Sequence, residues 1–233
     1  MYMKTELLVG DQWKWFEDEA EIRANHWHIN HDDIVIDVGC HIGSYTLPAL
    51  EAGATVYAID PYIKFTSVLS LLAEDTSKLT IINATMAEDE GYTEEYQRAM
   101  RSEPNWHMHA KRNTTYITLD ALVERYAIKK LDWLKIDVEG AELFVLRGGI
   151  KTLTRFNPKI VLEDHTGVYK FASTLQIGEQ CRSLLISLDY QMKEIHYKGK
   201  SLDSLDRTFV IAERSEVSIL QETPVLTSLI LTN

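Results

Sequence analysis

Apolar and polar positions along this chain follow two different periods. Five short apolar runs stand out: DIVIDVG (33–39), TVYAID (55–60), LTIINA (79–84), LDWLKID (131–137) and PKIVLEDH (158–165). Each has the length of a strand and is dominated by Val, Ile and Leu, as expected of strands buried on both faces. Between them lie segments of helical spacing: SYTLPALEAG (44–53), closed by Gly53, then FTSVLSLLAED (65–75), LDALVERYAI (119–128), AELFVLRGG (141–149), stopped by a glycine pair, and LQIGEQCRSLLISLDY (175–190). Two final strands, YQMKEIHYK (190–198) and RTFVIAE (207–213), are expected to pair antiparallel at the far edge. Repeated strand–helix units predict an α/β fold with a doubly wound, mostly parallel sheet covered by helices on both sides. Residues 88–112 break the rhythm with a polar stretch rich in aromatic and histidine residues, expected as an irregular, lid-like insertion. Residues 1–32 read as an N-terminal extension of helix and loop, and 215–233 as a C-terminal tail.

Composition narrows the partners. The 233 residues suffice for one large core. A net charge of -11 with scattered Lys and Arg argues against nucleic acid, which needs a basic face. No apolar run approaches about 18 residues, and the N-terminus lacks a signal peptide's apolar centre, so no membrane partner is expected. Two cysteines, Cys40 and Cys181, are too few for a disulfide framework, which favours a reducing cytoplasm. Cys181 fits the buried face of its helix, and Cys40 reads as a small filler.

The stretch WLKIDVEGAEL (133–143) then poses a problem, because three carboxylates, Asp137, Glu139 and Glu142, crowd the end of an apolar strand. Buried charge is costly unless paired or employed. In doubly wound sheets, ligands bind beyond the carboxyl ends of the strands. Those ends carry Asp37 with Gly39, Asp60, Asn83 and Ala84, Asp137 with Glu139, and Glu163 with His165. Four of the five parallel strands therefore end in a carboxylate, and their ligand should offer donors and positive charge.

The first strand is the most specific. Asp37-Val38-Gly39-Cys40-His41-Ile42-Gly43 places two glycines four apart in a strand-to-helix turn. A dinucleotide fingerprint needs a middle glycine for the pyrophosphate, and His41 stands there instead. That weighs against a nicotinamide-dependent oxidoreductase and for a ligand without phosphates, such as S-adenosylmethionine. Gly39 lets the chain pass close to the ligand's amino-acid part, and Asp37 orients the loop or the ammonium group. Asp60, about twenty residues on, is placed to accept both ribose hydroxyls. A non-catalytic binding module of the same fold is the third reading, weakened because all the crevice acids are present.

DVGCHIGSYT, AIDPY, the Leu119-Asp120 pair and above all LKIDVEGAELFVLRGG resemble the FkbM family of S-adenosylmethionine-dependent methyltransferases. The resemblance spans roughly residues 33–165 and places a methyltransferase domain at 33–214. It implies the seven-stranded, Rossmann-like class I fold with an antiparallel edge strand, and methylation of a hydroxyl on a sugar or natural-product acceptor. This chain departs from the family's usual first motif at Cys40 and His41.

On that reading Asp137 contacts methionine or acceptor, Glu142 is a cap-region acid, and Glu139 braces the loop or touches ligand. Glu163 and His165 alternate with Asp164, so they share a face. His165 is the expected general base, since imidazole titrates near neutrality, with Glu163 orienting it. His41 is the second base candidate. Asp137, Glu163 and His165 also form a potential divalent-metal set, though no spacing is diagnostic. His26, His28 and His31 in HWHINHDD read as a solvated loop, while Trp106, His107 and His109 either offer stacking surface to a sugar ring or pack with Trp13, Trp15 or Trp27 of the N-terminal region. The same sequence pattern is compatible with a homo-oligomer.

Overall fold

A computed structural model describes residues 16–17, 19–89, 115–168, 170–198 and 206–214. Helix α1 (Ala20–His26) is followed by β1 (Ile34–Val38), α2 (Thr46–Glu51), β2 (Thr55–Ile59), α3 (Ile63–Leu72) and β3 (Leu79–Ile82). The chain breaks at Asn83 and continues as β4 (Ala84–Met86), which pairs in parallel with β5 (Thr115–Ile117) in a separate two-stranded sheet. Next come α4 (Leu119–Arg125), β6 (Trp133–Ile136), α5 (Glu142–Arg147), α6 (Ile150–Phe156) and β7 (Lys159–Asp164). The last elements are α7 (Lys170–Thr174), α8 (Ile177–Ser187), β8 (Tyr190–Lys198) and β9 (Asp206–Arg214).

Seven strands make the main sheet in the order β3-β2-β1-β6-β7-β9-β8. The first five are parallel, and β9 runs antiparallel between β7 and the outermost strand β8. The expected antiparallel pair thus lies at that edge, with β9 inserted and β8 outside. Strand order reverses between β1 and β6, and such a switch opens a crevice at the carboxyl ends. Asp37 lies opposite Lys135 there, and Val38 opposite Ile136.

The period-2 alternation of the strands divides the core in two. Ile36, Leu134, Ile136, Ile160 and Leu162 pack on one face with Leu122, Leu146 and Leu185 from the helices. Val35, Val56, Trp133, Val161 and Phe209 pack on the other with Ile22, Trp27, Tyr45, Leu47 and Leu69. The crevice acids of β1, β6 and β7 follow the second set in alternation, so they emerge on the face that α1 and α2 cover.

Several expected elements change at their ends. The helix expected over 141–149 stops at Arg147, and a further helix, α6, begins after Gly148-Gly149. Its start is held from outside: Asp120 accepts from the Lys151 and Thr152 amides (3.2 and 2.8 Å) and from the Thr152 hydroxyl (2.7 Å). This capping gives the Leu119-Asp120 pair a structural role. The helix expected over 175–190 is α8, shorter at both ends, and a further short helix, α7, precedes it, the two separated where Gln176 takes a left-handed φ of 51°. The tail at 215–233 and the segment holding Trp106, His107 and His109 lie outside the described residues. Among the described residues, no helix is long and apolar enough to cross a membrane.

Candidate functional site

The site begins at the turn after β1. Gly39 has φ 77°, and a Cβ there would stand 1.7 Å from the carbonyl oxygen of Asp137. Glycine is therefore required to let the β1 turn lie against the end of β6. The Gly39 and Cys40 amides both donate to the Ile59 carbonyl, at 2.8 and 3.0 Å. His41 also takes a left-handed conformation, φ 49°, and its ring packs on Phe65 with centroids 3.9 Å apart. Burial lowers its pKa, so the ring is neutral near pH 7. Gly43 then allows entry into α2, against Leu69 and Leu47. Cys40 is buried, and burial pushes its thiol well above the ordinary range, which fits a filler rather than a nucleophile.

Asp60, at the end of β2, is held by main chain. One carboxylate oxygen accepts from the Tyr62 amide (2.7 Å) and the other from the His41 amide (3.1 Å). Each oxygen keeps one lone pair, enough for two ribose hydroxyls. Burial, opposed by those two amides, raises its pKa to about 6. Asn83 donates to the Asp60 carbonyl (3.1 Å) and to the Thr66 hydroxyl (2.7 Å), so its side chain braces the turn into α3. Ala84 is buried in β4, opposite Thr115.

The other half of the crevice is held by side-chain charge. Asp37 is fully buried and accepts from the Thr46 hydroxyl at 2.6 Å. Lys135, 3% exposed, lies 3.7 Å from Asp37 and 3.0 Å from Asp137 Oδ2, and donates to the Gly39 carbonyl at 3.1 Å. Its ammonium also sits over the Tyr45 ring, 5.0 Å from the centroid. Burial works to discharge it, but Asp137, Asp37 and Glu19 outweigh burial and keep it charged. Asp137 gains equally: against burial, Lys135 and then His165 hold its pKa below the usual carboxylate value.

The β7 end completes the cluster. Glu163 and His165 share a face and are both 5% exposed, while Asp164 turns away to Arg182 at 2.9 Å. His165 Nδ1 is 2.8 Å from Glu142 Oε1, and Nε2 faces Glu139 (3.5 Å), Glu163 (3.6 Å) and Asp137 (3.7 Å). Burial opposes the charge on this ring, but Glu142, Glu163 and Glu139 raise its pKa well above the ordinary imidazole value. These surroundings change the picture of a histidine titrating near neutrality: Glu142, Glu163 and Glu139 favour its charged form. Glu163 is pushed up to about 8, by burial and then by Asp137.

Glu142 does more than brace its turn. It accepts from the Gly140 amide at 2.9 Å and orients His165 with the same oxygen. Glu139 enters the cluster through a left-handed φ of 57°.

Three members of this network carry no clear signal in a linear reading. Lys135 is the most legible, since it stands two residues before Asp137 on the same strand face. Arg207 on β9 lies 3.5 Å from Glu163 and 3.3 Å from Glu19, which is buried just before α1. Only the folded sheet brings these two to the site. His31 instead pairs with Asp32 at the surface, 2.7 Å away. Among the described residues, the group with metal-ligand spacing is Asp137, Glu163 and His165, whose donor atoms lie within 4.8 Å of one another.

A parallel sheet reversing order at β1, an acid-lined switch point and an antiparallel strand beside the outer edge define the class I methyltransferase fold. The model of the FkbM methyltransferase domain matches residues 37–192, and the chain belongs to that family. A crystal structure of an FkbM methyltransferase from Methylobacillus flagellatus KT superposes with a TM-score of 0.55 at 17% identity, over 81% of this chain and 46% of that one. The chain thus spans about half the length of that relative. A Listeria monocytogenes protein described as an S-adenosylmethionine-dependent methyltransferase gives 0.54 at 12% identity, over 88% of this chain and 100% of that one. At such identities the likeness is one of fold. Comparison with curated protein sequences returns no match.

Proposed function

We propose that the protein transfers a methyl group from S-adenosylmethionine to a hydroxyl of a sugar or other small-molecule acceptor. The observation that carries this reading is the arrangement of Asp60, whose two oxygens are each fixed by one main-chain amide, of His41 in the turn that follows Gly39 and of Tyr62. Such an acid suits a ribose diol, and the turn suits an amino-acid moiety better than a pyrophosphate. The acidic lining suits a cofactor whose sulfonium and ammonium groups carry positive charge.

In the reaction the acceptor oxygen attacks the methyl carbon in line with the carbon–sulfur bond. That bond breaks, its electron pair goes to sulfur, and S-adenosylhomocysteine leaves without the sulfonium charge. The hydroxyl proton passes to a carboxylate of Asp137 or Glu163 beside His165, on the acidic side of the crevice nearest the switch point. His165, clamped by Glu142, fixes the positions of the carboxylates around it. Asp37, Gly39, Cys40, His41, Gly43, Asp60, Asn83 and Ala84 form or brace the cofactor side.

The test is to incubate the protein with labelled S-adenosylmethionine and a panel of nucleotide sugars, glycosides and hydroxylated small molecules. Labelled methyl ethers are the expected products. Stabilisation by S-adenosylhomocysteine should accompany them, because a ligand that binds only the folded state raises the melting temperature. No thermal shift with either cofactor form would set the reading aside.

A further inference from the structure

We propose that Asp137, Glu163 and His165 hold a divalent transition-metal ion of the zinc or manganese class on the acceptor side of the crevice. The inference rests on the methyl-transfer reading for its purpose, but the geometry stands without it.

Around His165 Nε2, the oxygens of Glu139, Glu163 and Asp137 stand at 3.5, 3.6 and 3.7 Å. These separations are long for hydrogen bonds. The two to the proposed ligands Glu163 and Asp137, 3.6 and 3.7 Å, lie near the spacing of about 3.4 Å between ligands held about 2.1 Å from a tetrahedral metal, and the three donor atoms lie within 4.8 Å of one another. An octahedral magnesium ion would draw cis ligands to about 3.0 Å and favour an all-oxygen set. One imidazole with two carboxylates therefore points to zinc or manganese.

The supporting contacts match a metal centre. Glu142 Oε1 meets His165 Nδ1 at 2.8 Å, which turns Nε2 toward the carboxylates, the usual carboxylate–histidine–metal relay. Lys135 takes Asp137 Oδ2 at 3.0 Å and leaves Oδ1 facing the histidine. Arg207 Nε lies 3.5 Å from Glu163 Oε1, the oxygen that faces the ring, and so helps to hold that carboxylate in place. Glu142 Oε2, on a residue 1% exposed, has no hydrogen-bond partner among the described residues.

Asp37 and Glu19 add two more buried acids. With Asp137, Glu139, Glu142 and Glu163 they make six acids against four cations, Lys135, Arg207, Arg23 and the charged His165, so a dication that displaces the histidine's proton offsets the excess. Glu139, whose side chain is 43% exposed, marks the open side from which an acceptor oxygen would arrive. When bound, such an ion would polarise the acceptor hydroxyl as a Lewis acid.

The probes are Zn²⁺ and Co²⁺ with the full chain after chelator treatment. One equivalent of Co²⁺ should bind and give the intense visible absorption of a four- or five-coordinate site, and Zn²⁺ should displace it. Glu163→Gln and His165→Ala should abolish that band, and Glu142→Gln should weaken binding about 10- to 100-fold. Retained S-adenosylhomocysteine binding would verify that each variant folds. The proposal is overturned if the chelated protein takes up no Co²⁺, or if the band survives in His165→Ala, which would place the ion at other histidines. Cofactor binding by the metal-free parent keeps the two readings apart. If it binds S-adenosylhomocysteine but no metal, only this inference falls. If it binds metal but no cofactor, the methyl-donor reading falls.

Discussion

The two sides of the crevice hold their acids by different means. At the end of β2, Asp60 is fixed by two main-chain amides, and the turn that supplies one of them is shaped by Gly39 and His41. At the ends of β6 and β7, Asp137, Glu163 and His165 are fixed by side-chain charges from Lys135, Arg207, Glu142 and Glu139. The first arrangement is local, because residues within about twenty positions make it. It presents a constant shape suited to a ligand that is always the same. The second gathers groups from the whole chain, and each can change proton affinity or partner. Under the proposed function, it is the side on which the acceptor's proton moves.

The largest effect should come from removing the buried cation. Lys135→Met leaves Asp37 and Asp137 facing each other's charge without compensation, and breaking a buried pair costs about 3–5 kcal/mol. The expected result is a lowered urea midpoint at unchanged slope. A variant as stable as the parent would mean that the charged half is not held by Lys135.

A smaller effect concerns pH on the main-chain side. Asp60 has a raised pKa of about 6, chiefly from burial, so it is ionised above that value and protonated below it. Protonation would remove acceptor capacity from the proposed ribose contact. Affinity for S-adenosylhomocysteine should therefore be flat above pH 7 and fall about tenfold by pH 5, one unit below the pKa. His41, kept neutral near pH 7 by burial, adds no step of its own above its ordinary range. In Asp60→Asn the pH step should vanish. If it persists, another group governs it.

The smallest effect lies outside the crevice. Asp120→Ala removes the three hydrogen bonds that start α6, and loss of a cap costs about 1 kcal/mol. The melting temperature should fall by about 2–4 °C with cofactor affinity unchanged. Altered affinity would tie that residue to the site after all.

The same division explains what the chain reveals when read as a line. Near-continuous apolar strands and the DVGCHIG turn are local signals, so the parallel sheet, its switch point and Asp60 are all legible. Glu163 and His165 are legible as a pair through period-2 alternation. The helix α6 is not, because its capping carboxylate comes from Asp120, thirty-odd positions away. Arg207 and Glu19 carry no signal either, since only sheet closure and the seating of α1 bring them to Glu163. Nor is the state of His165, because two of the acids that raise its pKa, Glu139 and Glu142, come from the loop and helix start after β6 rather than from its own strand. Its residue type alone suggests a base near neutrality, and the company it keeps makes it a cation.

One measurement tests the central claim most directly: calorimetric titration of S-adenosylmethionine into the parent, Asp60→Ala and Glu163→Gln. If the two sides have separate roles, the parent binds one equivalent. Asp60→Ala then binds at least about tenfold more weakly, having lost charge-assisted hydrogen bonds to the ribose. Glu163→Gln binds as the parent does while losing methyl transfer. A folded parent that binds no S-adenosylmethionine, or an Asp60→Ala variant that binds it as tightly as the parent, would contradict the account.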